Sequence, residues 1–148
     1  MRKFAVAAAM ILALAATPLL AEPAQVRTVT MNNGASQTIT DTVPGYEVRG
    51  TYNDIDNGAP MTVLGPGDSG SWRGDRREPM GAIKWGIAAD AAGKPLIQEA
   101  PNGQALILIV EFDGDGKYYG FQLAIAKEPK EMRLNGDRVR SYDLVPSP

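Results

Sequence analysis

Short β-favouring segments separated by turn residues run from Val26 to the C-terminus, and this pattern constrains the fold more than any other feature. The turn residues are abundant, since the 148 residues include 16 glycines and 11 prolines. Beyond residue 21, no segment carries the 3.6-residue periodicity of an amphipathic helix over a useful length. About eight to ten short strands therefore predict an all-β protein, a single small antiparallel β-barrel or β-sandwich.

The C-terminal third gives the clearest strand signals. Residues 105–110 are continuously apolar, which predicts a strand that is covered on both faces or lies in a closed barrel. Turn residues follow at 113–116, and residues 117–126 then alternate, so the two segments predict a β-hairpin. Alternation also predicts a half-buried strand over 46–52, and residues 138–145 are predicted as the last strand.

The first 21 residues have the three-part pattern of a secretory signal peptide. Arg2 and Lys3 supply a positive start, residues 4–16 are apolar throughout, and Ala21 is a small residue at the expected cleavage site. The apolar stretch is shorter than the ~20 residues of a membrane-spanning helix, so we expect cleavage. The sequence predicts a signal peptide over 1–21, one β domain over 22–148, and export to the periplasm of a Gram-negative bacterium or to the medium.

The sequence contains neither cysteine nor histidine, which removes several kinds of chemistry. Disulfides, thiolate nucleophiles, zinc–thiolate sites, histidine-ligated metals and serine–histidine catalytic pairs are all excluded. The chain has a formal net charge of -2, so it also lacks the positive electrostatic field of a general nucleic-acid binder. We therefore expect no cofactor, no metal and no nucleic-acid partner, and an enzyme is the less favoured hypothesis.

Two short motifs match functional signatures, but neither carries a function alone. Residues 67–71, Gly-Asp-Ser-Gly-Ser, are similar to the nucleophile segment of trypsin-like serine proteases, whose chemistry needs a histidine base that this chain lacks. Arg73, Gly74 and Asp75 form the tripeptide that integrins recognise, for which a solvated turn is the favoured interpretation. We predict no catalytic residue in this region.

Acidic residues at 54–58 and 113–116 resemble fragments of calcium-binding loops. Neither turn holds the full ligand set of an EF-hand, so we interpret the Asp-Gly and Asn-Gly pairs as turn formers. Glu111 and Asp113 would share one strand face about 7 Å apart, within the spacing of glycosidase acid–base pairs. A catalytic or calcium-binding role for Glu111, Asp113 and Asp115 stays open at this point.

Trp72 stands close to Arg73, Arg76 and Arg77 in the loop-rich middle of the chain. Exposed tryptophan and arginine dominate protein–protein hot spots, so these residues form the predicted contact surface. In the alternative interpretation, Trp72 plugs one end of the barrel.

The favoured hypothesis is a non-catalytic binding module that recognises a protein or cell-envelope component through loops on a β scaffold. A small apolar-ligand carrier with a hollow barrel and a carboxylate-based hydrolase are the alternatives.

Overall fold

The computed structural model describes residues 26–73, 81–136 and 138–142, and all regular structure within these ranges is β-strand. The described residues contain eleven strands. In chain order they are β1 (Val26–Thr30), β2 (Ser36–Thr40), β3 (Gly50–Asp54), β4 (Pro60–Leu64), β5 (Ser69–Trp72), β6 (Gly81–Ala89), β7 (Gln98–Ala100), β8 (Gly103–Phe112), β9 (Tyr118–Ala126), β10 (Glu131–Leu134) and β11 (Arg138–Ser141). Within the same ranges, no helix has the length and apolar character needed to span a membrane.

Eight of these strands close into an antiparallel barrel. Around the ring the order is β3, β4, β5, β6, β8, β9, β10 and β11, and β11 returns to pair with β3. The β8–β9 pairing covers the whole of β9, whereas the closing pairing joins only Arg138 to Asp54 and Val139 to Asn53. The predicted all-β antiparallel barrel is confirmed, and the closed ring excludes the sandwich.

Alternate side chains of the ring strands point inward and fill the barrel. Among them, Tyr52, Trp85, Leu108, Leu123 and Met132 are each 0% exposed and belong to one hydrophobic cluster. Close packing of this kind stabilises the fold through apolar burial and dispersion contacts. The period-two alternation read from the sequence therefore identifies the inward face of the barrel strands.

The β1–β2 hairpin lies outside the ring, across the outer face of β6, β8 and β9. β2 pairs with the last residues of β6, and the Asn32 backbone N–H donates to the Tyr118 carbonyl at 2.8 Å. Ile39, which is 1% exposed, packs onto Gly86, where a Cβ atom would lie 2.6 Å from Ile39 Cδ1. The missing side chain at Gly86 thus lets the hairpin approach the barrel. The contacts form a second hydrophobic cluster of Val29, Ile39, Ala88, Ile109 and Tyr118.

The strand predicted over 46–52 differs from the structure. β3 begins only at Gly50, whose φ of 137° interrupts the extended run. Val48 precedes the strand but is still 1% exposed, because the irregular segment carries it into the barrel core. Both Val48 and Tyr52 are therefore buried as the alternation predicts, although they belong to different elements.

Two further strand boundaries depart from the sequence interpretation. The sequence over 88–93 predicts a single helical turn or a long hairpin loop, whereas in the structure β6 continues to Ala89, so residues 88 and 89 belong to a strand. A turn follows, in which the Gly93 N–H donates to the Asp90 carbonyl. β11 ends at Ser141, while residues 143–145 of the predicted last strand lie outside the described residues. The chain after this turn also forms the short strand β7.

Tyr52 buries its hydroxyl group in the barrel, where it donates to the Val48 carbonyl at 2.7 Å. Burial raises the pKa of Tyr52 above its ordinary value of 10.0. The folded protein then keeps a proton that the unfolded chain loses above about pH 10, so the free energy of unfolding should fall as the pH rises beyond that value. Urea denaturation at several pH values from about 8 to 11 would measure this fall.

Tyr52→Phe provides the control for this pH dependence. The variant should be less stable than the wild type near neutral pH, because the Val48 carbonyl loses its donor. Its stability should also fall less steeply above about pH 10, because the titrating hydroxyl is gone. If the free energy of unfolding fell equally in the two proteins as the pH rose, groups other than Tyr52 would be the cause of the lost stability at alkaline pH.

Candidate functional site

An open groove of about 500 Å³ lies on the outside of the barrel, beside the β1–β2 hairpin. Its floor is the outer face of β8 and β9, which includes Ile107, Ile109 and Gly120. Met31, just after β1, and Leu96, just before β7, also line it. Ligand sites in proteins measure roughly 300–1,000 Å³, so the groove has the size of a binding site.

The strand pattern explains why this outer face is apolar. Residues 105–110 alternate across the barrel wall, so Leu106 and Leu108 point into the core while Ile107 and Ile109 point outward. Ile109 is 2% exposed beneath the hairpin, whereas Ile107 is 41% exposed. The predicted covering of both strand faces is therefore complete at Ile109 and incomplete at Ile107, where the groove lies.

The loop before β7 extends the exposed apolar surface. Leu96 is 43% exposed, and its neighbour Ile97 is 40% exposed. The Leu96 backbone N–H donates to the Ala88 carbonyl at 2.9 Å, which fixes this segment against the end of β6. Contiguous exposed apolar side chains with a polar rim mark interaction surfaces in soluble proteins.

Every described residue that lines the groove is uncharged. The polar side chains among the lining residues are the amides of Gln37, Gln98 and Gln122. Gln37 is held in place because its Nε2 donates to two backbone carbonyls, at 2.8 and 3.0 Å. On the adjoining strand β10, Arg133 forms an ion pair with Glu131 at 2.9 Å. These charged side chains thus lie on the strand next to the groove and not in its lining.

Gly120 lies in the groove floor, close to the side chain of Ile107. A Cβ atom at this position would lie 3.3 Å from Ile107 Cγ2 and 3.8 Å from Ile109 Cδ1. The φ angle of Gly120 is not positive, so an ordinary residue would be compatible with this strand backbone. A Cβ atom here would press against Ile107, so glycine lets the Ile107 side chain lie close to the β9 backbone.

Trp72, the central residue of the predicted contact surface, is 8% exposed. Its ring lies 5.4 Å from the Phe112 ring in an edge-on arrangement and 4.7 Å from the Phe121 ring, measured between centroids. Such pairs add about 0.5–1.5 kcal/mol beyond area burial. The tryptophan therefore occupies the position that the alternative interpretation gives it, in an aromatic plug at one end of the barrel.

Three arginines complete the surface predicted around Trp72. Arg73 is half-buried, and its backbone N–H donates to the Met61 carbonyl at 2.8 Å, which continues the β4–β5 pairing past Trp72. Arg76 and Arg77 lie outside the described residues. The role of this segment in binding stays a prediction.

The carboxylates near the β8–β9 turn contact the backbone of that turn. Glu111, which is 7% exposed, accepts a hydrogen bond from the Gly116 N–H at 2.8 Å, and Asp115 accepts one from the Lys117 N–H at 2.9 Å. Asp113 occupies the turn with a φ of 55°. Within the described residues, no group of three or more acidic, histidine or cysteine side chains is placed to hold a metal ion.

Comparison of the chain with protein-family profiles, curated proteins and solved structures found no match. The groove is therefore characterised by its geometry. Sequence reasoning missed the groove, although one signal was present: the continuous apolar run over 105–110 requires a cover for its outward half.

Proposed function

We propose that this protein is an exported, non-catalytic binding module whose outer groove docks an apolar surface of a protein partner. The exposed apolar surface around Ile107 and Leu96 carries the proposal, since these side chains are 41% and 43% exposed. Contiguous apolar surface is a common feature of interaction sites, and a polar rim around it is typical of protein–protein interfaces.

The open shape of the groove favours a macromolecule over a small ligand. Small-molecule sites bury most of the surface of their ligand, whereas this groove leaves its own Ile107 and Leu96 exposed. An apolar segment of a protein partner covers both side chains. Filling of the barrel by core side chains further supports binding at the outer surface rather than in a hollow interior.

The other parts of the proposal rest on the sequence. The pattern over residues 1–21 supports export. The absence of histidine and cysteine supports a non-catalytic role, because the proton-transfer and nucleophilic groups that many enzymes use are missing. A small, disulfide-free β-barrel is a rigid scaffold on which such a docking surface keeps its shape.

Ile107→Glu should weaken partner binding by at least tenfold, about 1.4 kcal/mol. Docking would bury the new carboxylate in an uncharged groove without a counter-charge, which is costly. A partner would first be captured on the immobilised protein from the periplasmic or culture-medium fraction and identified by mass spectrometry. Titration calorimetry with the purified partner would then give the dissociation constants of wild type and variant.

Ile55→Glu is the matched control for this substitution. Ile55 is 47% exposed and lies in the β3–β4 turn, outside the groove, so the variant carries the same chemical change at a similarly exposed position. We expect wild-type affinity from it. Equal weakening by the two substitutions, or an Ile107→Glu variant that binds as tightly as wild type, would contradict docking in the groove.

A further inference from the structure

We infer that Asn135 is a site of spontaneous deamidation, because its Asn-Gly pair is the one that the described structure leaves unprotected. The chain contains four such pairs, which begin at residues 33, 57, 102 and 135. Asparagine is a thermolabile residue, and a following glycine has no side chain to shield the peptide nitrogen. The modification is chemistry of the chain itself and does not depend on what the groove binds.

The reaction needs no co-reactant other than water. The Gly136 peptide nitrogen attacks the side-chain carbonyl carbon Cγ of Asn135, a C–N bond forms, and the side-chain amide leaves as ammonia with the proton that the peptide nitrogen gives up. Water then opens the resulting succinimide ring at either of its carbonyl carbons. One opening gives aspartate. The other gives isoaspartate, in which the main chain runs through the former side chain.

Hydrogen bonds hold the reacting groups of the first two pairs. The Gly34 N–H donates to a backbone carbonyl at 2.8 Å, and the Gly58 N–H donates to another at 2.9 Å. The Oδ1 atoms of Asn33 and Asn57 each accept a backbone N–H, at 2.9 and 2.8 Å. Attack by either glycine nitrogen therefore requires the turn to open first.

Strand pairing holds the pair at 102. Asn102 Nδ2 donates to the Glu128 carbonyl at 2.9 Å, and the Asn102 carbonyl accepts the Lys127 N–H at 2.8 Å. Gly103 is buried in β8, where the Ile125 carbonyl group of β9 lies against its Cα. Rotation of this peptide toward the Asn102 side chain would break the pairing of β8 with β9.

Asn135 and Gly136 lie exposed in the turn between β10 and β11. Their φ values of 54° and 79° are typical of an Asn-Gly hairpin turn. No hydrogen bond joins the Asn135 side chain or the Gly136 N–H to another described residue. Nothing lies within 4 Å of a Cβ atom built at Gly136. The two reacting groups therefore have no competing partner in the described structure and no neighbour that blocks their approach.

The expected consequence is a weaker closure of the ring. β11 follows this turn, and within the described residues it pairs with β3 only at Arg138 and Val139. Isoaspartate lengthens the main chain of the turn and displaces the Gly136 carbonyl, which accepts a hydrogen bond from Arg133 Nη1 at 3.3 Å. We expect a lower thermal midpoint for the modified protein, because β11 can no longer keep its register with both β10 and β3.

The test is an ageing experiment on the purified protein at mildly alkaline pH, in native buffer and in urea concentrated enough to unfold it. Tryptic peptides would be separated, and mass spectrometry with electron-transfer fragmentation would identify their aspartate and isoaspartate forms. In native buffer, we expect Asn135 to react several-fold faster than Asn33, Asn57 and Asn102. In urea the four rates should converge, because the protecting hydrogen bonds are lost.

Asn135→Gly tests the consequence for stability. Glycine removes the reactive side chain and tolerates the φ of 54° at this position. Ageing should leave the thermal midpoint of this variant unchanged, whereas aged wild type should develop a population that unfolds at lower temperature. Asn33→Gly makes the same change in the β1–β2 turn and is the matched control, which should age like wild type.

Three results would overturn the inference: equal native rates at the four pairs, a faster native rate at another pair, or a native rate at Asn135 far below its rate in urea. An aged wild type that unfolds at the same temperature as aged Asn135→Gly would overturn the effect on ring closure. Docking in the groove is tested separately, by the comparison of Ile107→Glu with Ile55→Glu.

Discussion

Gly103→Ala should destabilise the barrel by about 3–5 kcal/mol, enough to unfold a marginally stable domain. Gly103 begins β8 with a φ of 156°. A Cβ atom there would overlap the Ile125 carbonyl oxygen and lie 2.9 Å from the Ile125 carbonyl carbon. Because these are backbone atoms of the paired strand β9, no side-chain rotation can relieve the clash. Urea denaturation followed by circular dichroism would measure the loss.

Gly58→Ala separates the steric cost from the backbone cost. Gly58 has a φ of 73°, but nothing lies within 4 Å of a Cβ atom built at this position. We therefore expect a loss of only about 1–2 kcal/mol, the cost of a left-handed conformation for an L-residue. Equal losses at the two positions would contradict the view that close approach of β9 is what requires glycine at 103.

Trp85→Ala should cost about 3–5 kcal/mol, the range for removing a large buried aromatic side chain. Trp85 is 0% exposed and lies in the main hydrophobic cluster. Its indole N–H also donates to the Ser69 carbonyl at 3.0 Å, with the Gly65 carbonyl at 3.3 Å. The side chain thus fills the barrel and holds the turn between β4 and β5. Denaturant unfolding of wild type and variant would give the difference.

Trp85→Phe divides this loss into its two parts. Phenylalanine keeps much of the ring packing but has no donor for the Ser69 carbonyl. We expect it to lose about 1–3 kcal/mol, from the missing hydrogen bond and the smaller ring. If the phenylalanine variant were as unstable as the alanine variant, the hydrogen bonds to the turn would be the main contribution of Trp85, and the packing argument would be wrong.

The strands with clear alternation could be predicted because their signal is local. In 117–126, the side chains at 123 and 125 point inward as the alternation requires, and both are buried. Gly50 limits the same reasoning over 46–52, because the residue pattern continues through it whereas β3 begins only at this residue, whose φ is 137°. Strand faces are thus readable from sequence more reliably than strand ends.

The groove could not be predicted because its parts are far apart in the chain. Met31, Leu96 and Gly120 meet only after the ring has closed and the hairpin has docked. Docking depends on Ile39 packing onto Gly86, a contact between a large side chain and a glycine backbone that no periodicity marks. Trp72 illustrates the converse problem, since its loop-rich neighbourhood suggests exposure while its ring lies in the aromatic plug.

The direct pairing of β11 with β3 has a consequence for how the chain could be connected. The first and last strands of the ring are neighbours, so the ring itself does not dictate which strand comes first. A circularly permuted ring, with a short linker from β11 to β3 and new termini in an exposed turn such as 55–59, would keep the pairings of the eight ring strands and omit the β1–β2 hairpin, which precedes β3. The architecture is in this sense independent of where its polypeptide begins.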